Sequence, residues 1–168
     1  MKKSVQYLFK ISIALTLVHS LSAGAQNIPP HAEGLKEELI TVDLAGNKKQ
    51  VGVYSTKIGV DKPTRLAVLL PGYPSVVRPV VEAGVMTNSK LTGNFLIRSR
   101  RFLADSNIAT LIVDCQSDSG DYCSSSYQAS KQRQQDVDKL IAESRPHCGS
   151  FVGSELVYSV IPFSVFFS

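Results

Sequence analysis

The sequence predicts an α/β fold, and three patterns along the chain carry that prediction. Two unbroken apolar runs, at residues 66–70 and 108–114, are typical of strands buried on both faces of a sheet. A segment with helical spacing lies between them, and two segments of alternating apolar and polar residues precede the first run. Because strand, helix and strand follow one another without a hairpin turn, we expect the two apolar strands to be parallel and the crossover right-handed.

The first 25 residues are predicted to be a bacterial secretory signal peptide. Lys2 and Lys3 form a basic start, residues 11–18 an apolar core, and residues 23–25 (Ala-Gly-Ala) a small-residue cleavage site. A bilayer span needs about 20 apolar residues, so we expect no stable membrane anchor after cleavage and a periplasmic or secreted protein. An uncleaved N-terminal anchor is the alternative.

Removal of this signal leaves a nearly neutral chain. The full sequence has 18 Lys and Arg against 14 Asp and Glu, and the signal holds three of the lysines and no acid, which leaves 15 basic against 14 acidic residues. Such a balance lacks the basic surface that is typical of nucleic-acid-binding proteins. We therefore expect no nucleic-acid partner.

Three cysteines follow the signal peptide, and an exported chain would carry them into an oxidising compartment. Cys115 and Cys123 lie close together in a polar stretch and are expected to form a disulfide, which leaves Cys148 free. A zinc site is not expected, because no Cys-x-x-Cys or histidine pair accompanies them. The sequence predicts neither a metal nor a cofactor.

The predicted elements begin with an antiparallel hairpin. Residues 38–44 and 50–56 alternate apolar and polar side chains, and residues 45–49 between them are turn formers. The first buried strand then ends against Pro71-Gly72. Gly72 lets the backbone turn sharply at the strand's C-terminal edge, where open α/β sheets keep their sites.

A long irregular loop is expected at residues 75–94, and a helix at residues 94–106. The helix carries Arg98, Arg100 and Arg101, which we expect to point mostly into solvent. An anion site is the alternative for these three arginines.

A polar loop follows the second buried strand. One interpretation of this loop is a metal or acid/base site formed by Asp114, Asp118 and Asp121. The other is a solvated turn pinned by the disulfide, and the serines and aspartates of the loop favour this second interpretation. A helix is predicted through residues 128–144, with an N-cap among residues 124–126 and its end at Pro146.

The order of these segments resembles the beginning of the α/β-hydrolase fold over residues 37–147. Residues 65–73 (RLAVLLPGY) resemble that family's third strand and oxyanion loop, and residues 101–114 (RFLADSNIATLIVD) its first helix and fourth strand. The resemblance implies a serine ester or peptide hydrolase acting on a small acyl substrate. It makes Gly72 and Tyr73 oxyanion-hole candidates, with the Tyr73 N–H as one donor.

The rest of the family pattern is missing. The nucleophile elbow, G-x-S-x-G, is expected soon after Pro146, but residues 148–157 (CGSFVGSELV) place Glu155 at the nucleophile position and Val157 at the second glycine. The family order of nucleophile, acid and histidine also fails, because every histidine precedes this point. These are His19, His31 and His147. No catalytic residue is assigned.

The sequence thus predicts an incomplete α/β-hydrolase-like sheet, with a hairpin followed by βαβα and an irregular tail. Residues 26–147 would be the N-terminal half of a hydrolase, inactive alone, and residues 148–168 out-of-frame translation. The alternative for this tail is a natural short variant with a hydrophobic docking strand. The alternative function is a small non-catalytic binding or interaction module. A metal hydrolase built on the three aspartates lacks a nearby histidine.

Overall fold

A computed structural model describes residues 28–149 of the protein. The predicted signal peptide with its cleavage site, and residues 150–168 of the predicted tail, lie outside the described residues. The elements in chain order are β1 Leu35–Leu44, β2 Lys48–Lys57, β3 Arg65–Leu69, β4 Val80–Glu82, β5 Val85–Asn88, α1 Phe95–Leu103, β6 Ile108–Val113, α2 Ser125–Gln128 and α3 Lys131–Ser144, with 3-10 turns at Pro30–Ala32 and Arg145–His147.

Four strands form a mixed sheet in the order β1-β2-β6-β3. β1 and β2 pair as an antiparallel hairpin, and β2 pairs antiparallel with β6. β3 and β6 are parallel, with Arg65 opposite Ile108. The predicted hairpin and the predicted parallel pair are both confirmed, and the fold is mixed α/β. β3 lies at one end of this four-stranded order, so its outer edge has no partner among the described strands.

Each face of the sheet is covered by one helix. Side chains of α3 pack with one set of residues from β3 and β6, while side chains of α1 pack with the alternate set. Both strands are therefore buried on two sides, which is why their sequences show no polar alternation. The α3 layer contains Leu66, Val68, Leu111, Leu140 and Ile141, and the α1 layer contains Leu69, Ile112, Leu96 and Ile97.

Helix α3 packs very closely on strand β2 at Gly52. A Cβ atom at this position would lie 2.7 Å from Leu140 Cδ2 and 2.9 Å from the carbonyl oxygen of Ile112. The Leu140 side chain could turn aside, but the backbone of the neighbouring strand β6 could not, so packing within the sheet requires a glycine here.

The prediction of an irregular loop at residues 75–94 was wrong, because the segment contains the antiparallel β4–β5 hairpin. This hairpin is attached to β1: the Met86 N–H donates to Glu37 Oε2 at 2.7 Å, and the Glu37 N–H donates to the Gly84 carbonyl at 2.8 Å. The hairpin is held by these contacts with β1, and its short strands show no alternation of apolar and polar residues that would have predicted them.

The prediction that the arginines of α1 point outward was wrong for Arg100, which is fully buried. Its Nε donates to Glu37 Oε1 at 2.8 Å and its Nη2 to Glu37 Oε2 at 3.0 Å. Phe95 and Phe102 of the same helix are instead 63% and 72% exposed. Arg100 faces the sheet because a buried carboxylate from β1 is there to pair with it.

The helix predicted through residues 128–144 is two helices, α2 and α3. The Ser124 side chain caps α2 by accepting the Tyr127 N–H, and the Ser130 side chain caps α3 by accepting the Arg133 N–H. Two serine caps so close together start two helices rather than one. Pro146 follows the end of α3 within a 3-10 turn, as a proline that cannot continue the helix.

Candidate functional site

The predicted oxyanion residues lie in a tight turn directly after β3. The Ser75 N–H donates to the Gly72 carbonyl at 2.8 Å, and the Ser75 hydroxyl donates to the Pro71 carbonyl at 2.8 Å. The Tyr73 side chain is 81% exposed. The structure thus brings Gly72 and Tyr73 together at the C-terminal edge of the parallel pair, with Tyr73 open to solvent.

Asp114, the residue after β6, holds the segment that follows this turn. It is buried, and its Oδ1 accepts the backbone N–H groups of Val77 at 2.6 Å and Cys115 at 2.7 Å. Its Oδ2 accepts the Arg78 N–H at 3.0 Å and the Arg78 side chain at 3.2 Å. A buried carboxylate needs such partners, and with both oxygens occupied Asp114 acts as a clamp on the backbone.

The clamped segment has an unusual backbone. Ser75 and Arg78 have φ values of 59° and 45°, in the left-handed region that residues other than glycine seldom adopt. Val76 and Val77 between them are fully buried. Each such residue costs on the order of 1–3 kcal/mol, so the contacts with Asp114 maintain a conformation that the segment would not keep alone.

Cys115 and Cys123 tie the loop after β6 to the same turn. Their Sγ atoms are 1.99 Å apart, both residues are buried, and the Cys123 N–H donates to the Pro74 carbonyl at 2.8 Å. Cys148 is the free cysteine of the described residues, 3.5 Å from the Tyr54 hydroxyl, and burial raises the pKa of its thiol. The next residue, Gly149, donates its N–H to the Pro63 carbonyl at 2.9 Å, so Cys148 lies near the N-terminal end of β3, opposite the end that carries the candidate turn.

Asp118 and Asp121 do not converge with Asp114. Asp118 pairs with Lys48 at 2.8 Å and Asp121 with Lys90 at 2.8 Å, and in each case the hydrogen bond from the lysine lowers the pKa of the carboxyl. Within residues 28–149 no group of three or more His, Cys, Asp or Glu could hold a metal ion. The aspartates are surface ion pairs and one buried clamp.

The two described histidines are engaged elsewhere. His147 Nδ1 lies 2.5 Å from Glu38 Oε1, and its ring lies 5.4 Å from that of Tyr54. His31 lines a cleft along α1, and burial together with the charge of Arg100 lowers its pKa. The candidate turn therefore has no histidine base from the described part of the chain.

A cluster of polar residues behind Asp114 was missed by the sequence analysis. Arg133 Nη1 donates to the Asp114 carbonyl at 2.8 Å and to Gln50 Oε1 at 3.0 Å. The Tyr127 hydroxyl donates to Asp136 Oδ2 at 2.7 Å, and burial raises the pKa of Tyr127 to about 12. Arg133 and Asp136 occupy the same helical stripe as the apolar residues of α3, and this was the signal that they are buried.

No family model matches the chain, and no curated protein matches it. Among the helices of residues 28–149, none has both the length and the apolar character that a membrane crossing requires. The functional assignment of this chain therefore depends on the turn after β3, its clamp and the sheet that carries them.

Proposed function

We propose that residues 26–147 are the N-terminal half of an exported α/β-hydrolase of the serine ester or peptide hydrolase class. This half would carry the oxyanion turn of an acyl-transfer site without its nucleophile. The observation that carries the proposal is the strand order β1-β2-β6-β3 with a tight turn at the C-terminal end of β3.

The strand order supports the proposal because an α/β-hydrolase sheet begins in the same way. Its first two strands form an antiparallel hairpin, and its fourth strand lies between the second and the third. Here β6 takes the place of the fourth strand, between β2 and β3. The C-terminal ends of β3 and β6 then define the edge where ligands bind in open α/β sheets.

The turn itself suits the stabilisation of an oxyanion. Acyl transfer develops negative charge on a carbonyl oxygen, and backbone N–H groups held in place beforehand stabilise that charge. The Tyr73 N–H is the proposed donor. The backbone after Tyr73 is held at Pro74 by the Cys123 N–H and at Val77 by Asp114. The backbone before it leaves β3, which is paired with β6. The donor would thus be held from both sides.

The site would be completed by strands beyond β3, whose outer edge is unpaired among the described strands. A nucleophile, its base and the second wall of the acyl pocket would come from those strands. Without them we expect no turnover of a small acyl ester, since acyl transfer needs a nucleophile activated by a base.

The first test uses the nucleotide sequence. Translation of the other two frames past codon 146 should show a G-x-S-x-G followed by an acid and a histidine. Early stop codons in both frames would contradict the proposal and favour a non-catalytic binding module.

The purified chain should hydrolyse no nitrophenyl ester above a buffer control, and stoichiometric labelling of any serine by a fluorophosphonate probe would also contradict the proposal.

The second test uses the chain with the frame restored. Tyr73→Pro removes the backbone donor and should lower kcat by about 10²–10³-fold with little change in KM. Tyr73→Ala removes the exposed side chain but keeps the N–H, so it is the matched control and should retain kcat. Equal activity of the two variants would exclude Tyr73 N–H as an oxyanion donor.

A binding module remains the second candidate function, because the described residues also form a polar groove at this edge of the sheet.

A further inference from the structure

We propose that the groove beside the disulfide loop binds a neutral saccharide. The groove has a volume of about 600 Å³ and lies between the start of β2, the loop after β6 and the first turns of α2 and α3. Tyr122, Gln116 and Gln132 line it. This proposal does not depend on the hydrolase proposal, since none of these residues belongs to the turn after β3.

Tyr122 provides an aromatic face on a fixed backbone. Its side chain is 61% exposed, although the next residue, Cys123, is buried and bonded to Cys115. The Cys123 N–H is held by the Pro74 carbonyl at 2.8 Å. A tyrosine offers a flat apolar surface with a polar tip. The C–H face of a pyranose ring fits against such a surface, at little cost in ordering the protein.

Gln116 and Gln132 provide paired hydrogen-bonding groups with a fixed orientation. Gln116 Nε2 donates to Asp136 Oδ2 at 3.0 Å, and Gln132 Nε2 donates to Asp136 Oδ1 at 2.8 Å. A carboxylate only accepts hydrogen bonds, so both amide NH₂ groups must face Asp136 and both amide oxygens must face elsewhere.

Neither amide oxygen accepts a hydrogen bond from another side chain or backbone group of residues 28–149. Each glutamine therefore presents its amide oxygen as an acceptor, and its NH₂ group has a second N–H that can donate. Neighbouring hydroxyl groups, each of which both donates and accepts, match this arrangement. A sugar ring supplies such hydroxyls together with the apolar face that Tyr122 requires.

The charges in the groove favour a neutral ligand. Its two charged lining residues, Lys48 and Asp118, pair with each other at 2.8 Å. An acidic or basic ligand would have to break this pair to gain a charged partner. A neutral saccharide would leave it intact.

The test is a titration of the isotope-labelled full chain with maltotriose, cellotriose and N,N′,N″-triacetylchitotriose, followed by amide chemical shifts. We expect saturable shifts at residues 116–124 and 132 with at least one trisaccharide. Tyr122→Ala should weaken that binding about tenfold, whereas Tyr122→Phe, which keeps the ring, should bind within about threefold of the parent chain.

Gln132→Leu should also weaken binding, by about fivefold. Gln135→Leu is its matched control, since Gln135 is exposed on the same helix and does not line the groove. The proposal is overturned if no trisaccharide gives saturable shifts, or if Tyr122→Ala binds as well as the parent. Equal shifts with glycerol at the same concentration would show an adventitious additive only and would also overturn it. Because Gln132 is exposed on α3, its variant tests the site even if Tyr122→Ala fails to fold.

Discussion

Two of the buried carboxylates within residues 28–149, those of Glu37 and Asp114, solve the same problem in different ways. Glu37 lies between the sheet and α1, where it pairs with Arg100 and both side chains are 0% exposed. Asp114 lies at the edge of the sheet, where its partners are mostly backbone N–H groups and its arginine, Arg78, is 29% exposed. The first pair joins layers of the fold, and the second fixes the backbone of a loop whose Arg78 is partly exposed.

The stability of the fold is expected to depend more on Glu37 than on Asp114. Removing one partner of a buried ion pair leaves a charge that water cannot reach. Replacing Asp114 by asparagine keeps one acceptor oxygen for the backbone N–H groups, and the charged partner that it loses, Arg78, is already partly exposed to water.

Arg100→Met should cause the largest loss of stability, because the buried carboxyl of Glu37 would lose its arginine partner. We expect the free energy of unfolding to fall by about 3–5 kcal/mol, measured by urea denaturation. Arg98→Ala, at an exposed position of the same helix, should change it by less than about 0.5 kcal/mol.

The double variant Glu37→Gln with Arg100→Met separates the charge from the packing. It should recover a substantial part of the stability that Arg100→Met loses, since no unpaired charge remains. If the double variant were less stable than Arg100→Met alone, the cost would come from packing and not from the charge of Glu37.

Replacement of Cys115 and Cys123 by serine should lower the free energy of unfolding by less than Arg100→Met does. By restricting the unfolded chain, a disulfide that closes a loop this short stabilises the fold by about 2.5 kcal/mol. Without the disulfide, the loop should also be cleaved faster by protease. The measurement is urea denaturation of the serine pair and of the parent with and without reductant. A reduced parent as stable as the oxidised one would contradict this prediction.

Asp114→Asn should cost about 2 kcal/mol, because the amide keeps one acceptor oxygen for the backbone donors but loses the charge. Proteolysis at residues 72–78 should become faster, because in the parent protein Asp114 holds the backbone at residues 77 and 78. Asp121→Asn is the control, since that side chain is 93% exposed. If Asp114→Asn destabilised the protein as much as Arg100→Met, the proposed contrast between the two sites would be wrong.

Acid should destabilise the protein partly through His31. Burial and the neighbouring Arg100 lower its pKa from the ordinary 6.5, so the unfolded chain binds a proton at higher pH than the folded chain. The stability linked to this group is present above pH 6.5 and is lost as pH falls through the lowered pKa.

The check is the urea midpoint between pH 7.5 and 5.5 for the parent and for His31→Gln. The parent should lose more stability on acidification than the variant. His147→Gln serves as the control for the loss of a histidine at another place in the fold, where the ring packs near Tyr54. Identical pH dependence of the parent and His31→Gln would exclude the contribution of His31.

The sequence was sufficient where one segment determines its own structure. The unbroken apolar runs predicted β3 and β6, because only a strand covered on both faces lacks polar alternation. The alternation of residues 38–44 and 50–56 predicted the hairpin in the same way.

It was insufficient where order comes from a distant partner. Arg100 is buried only because Glu37, 63 residues away, lies opposite it. The β4–β5 hairpin likewise depends on Glu37 through Met86. At the candidate site, Gly72 and Tyr73 could be placed in a turn from the local sequence, but the clamp by Asp114 requires contacts with residues 36–37 positions away.

The position of β6 has a consequence for the timing of folding. This strand lies between β2 and β3 although it follows both along the chain. During synthesis the hairpin and β3 have no common strand partner until β6 has been made. A lone hairpin is marginal in water, and pairing over long sequence separations is slow. We therefore expect the four-stranded sheet to form late, when the six residues of β6 join the hairpin to β3. A chain cut before Ile108 would contain the hairpin and β3 without the strand that pairs with both.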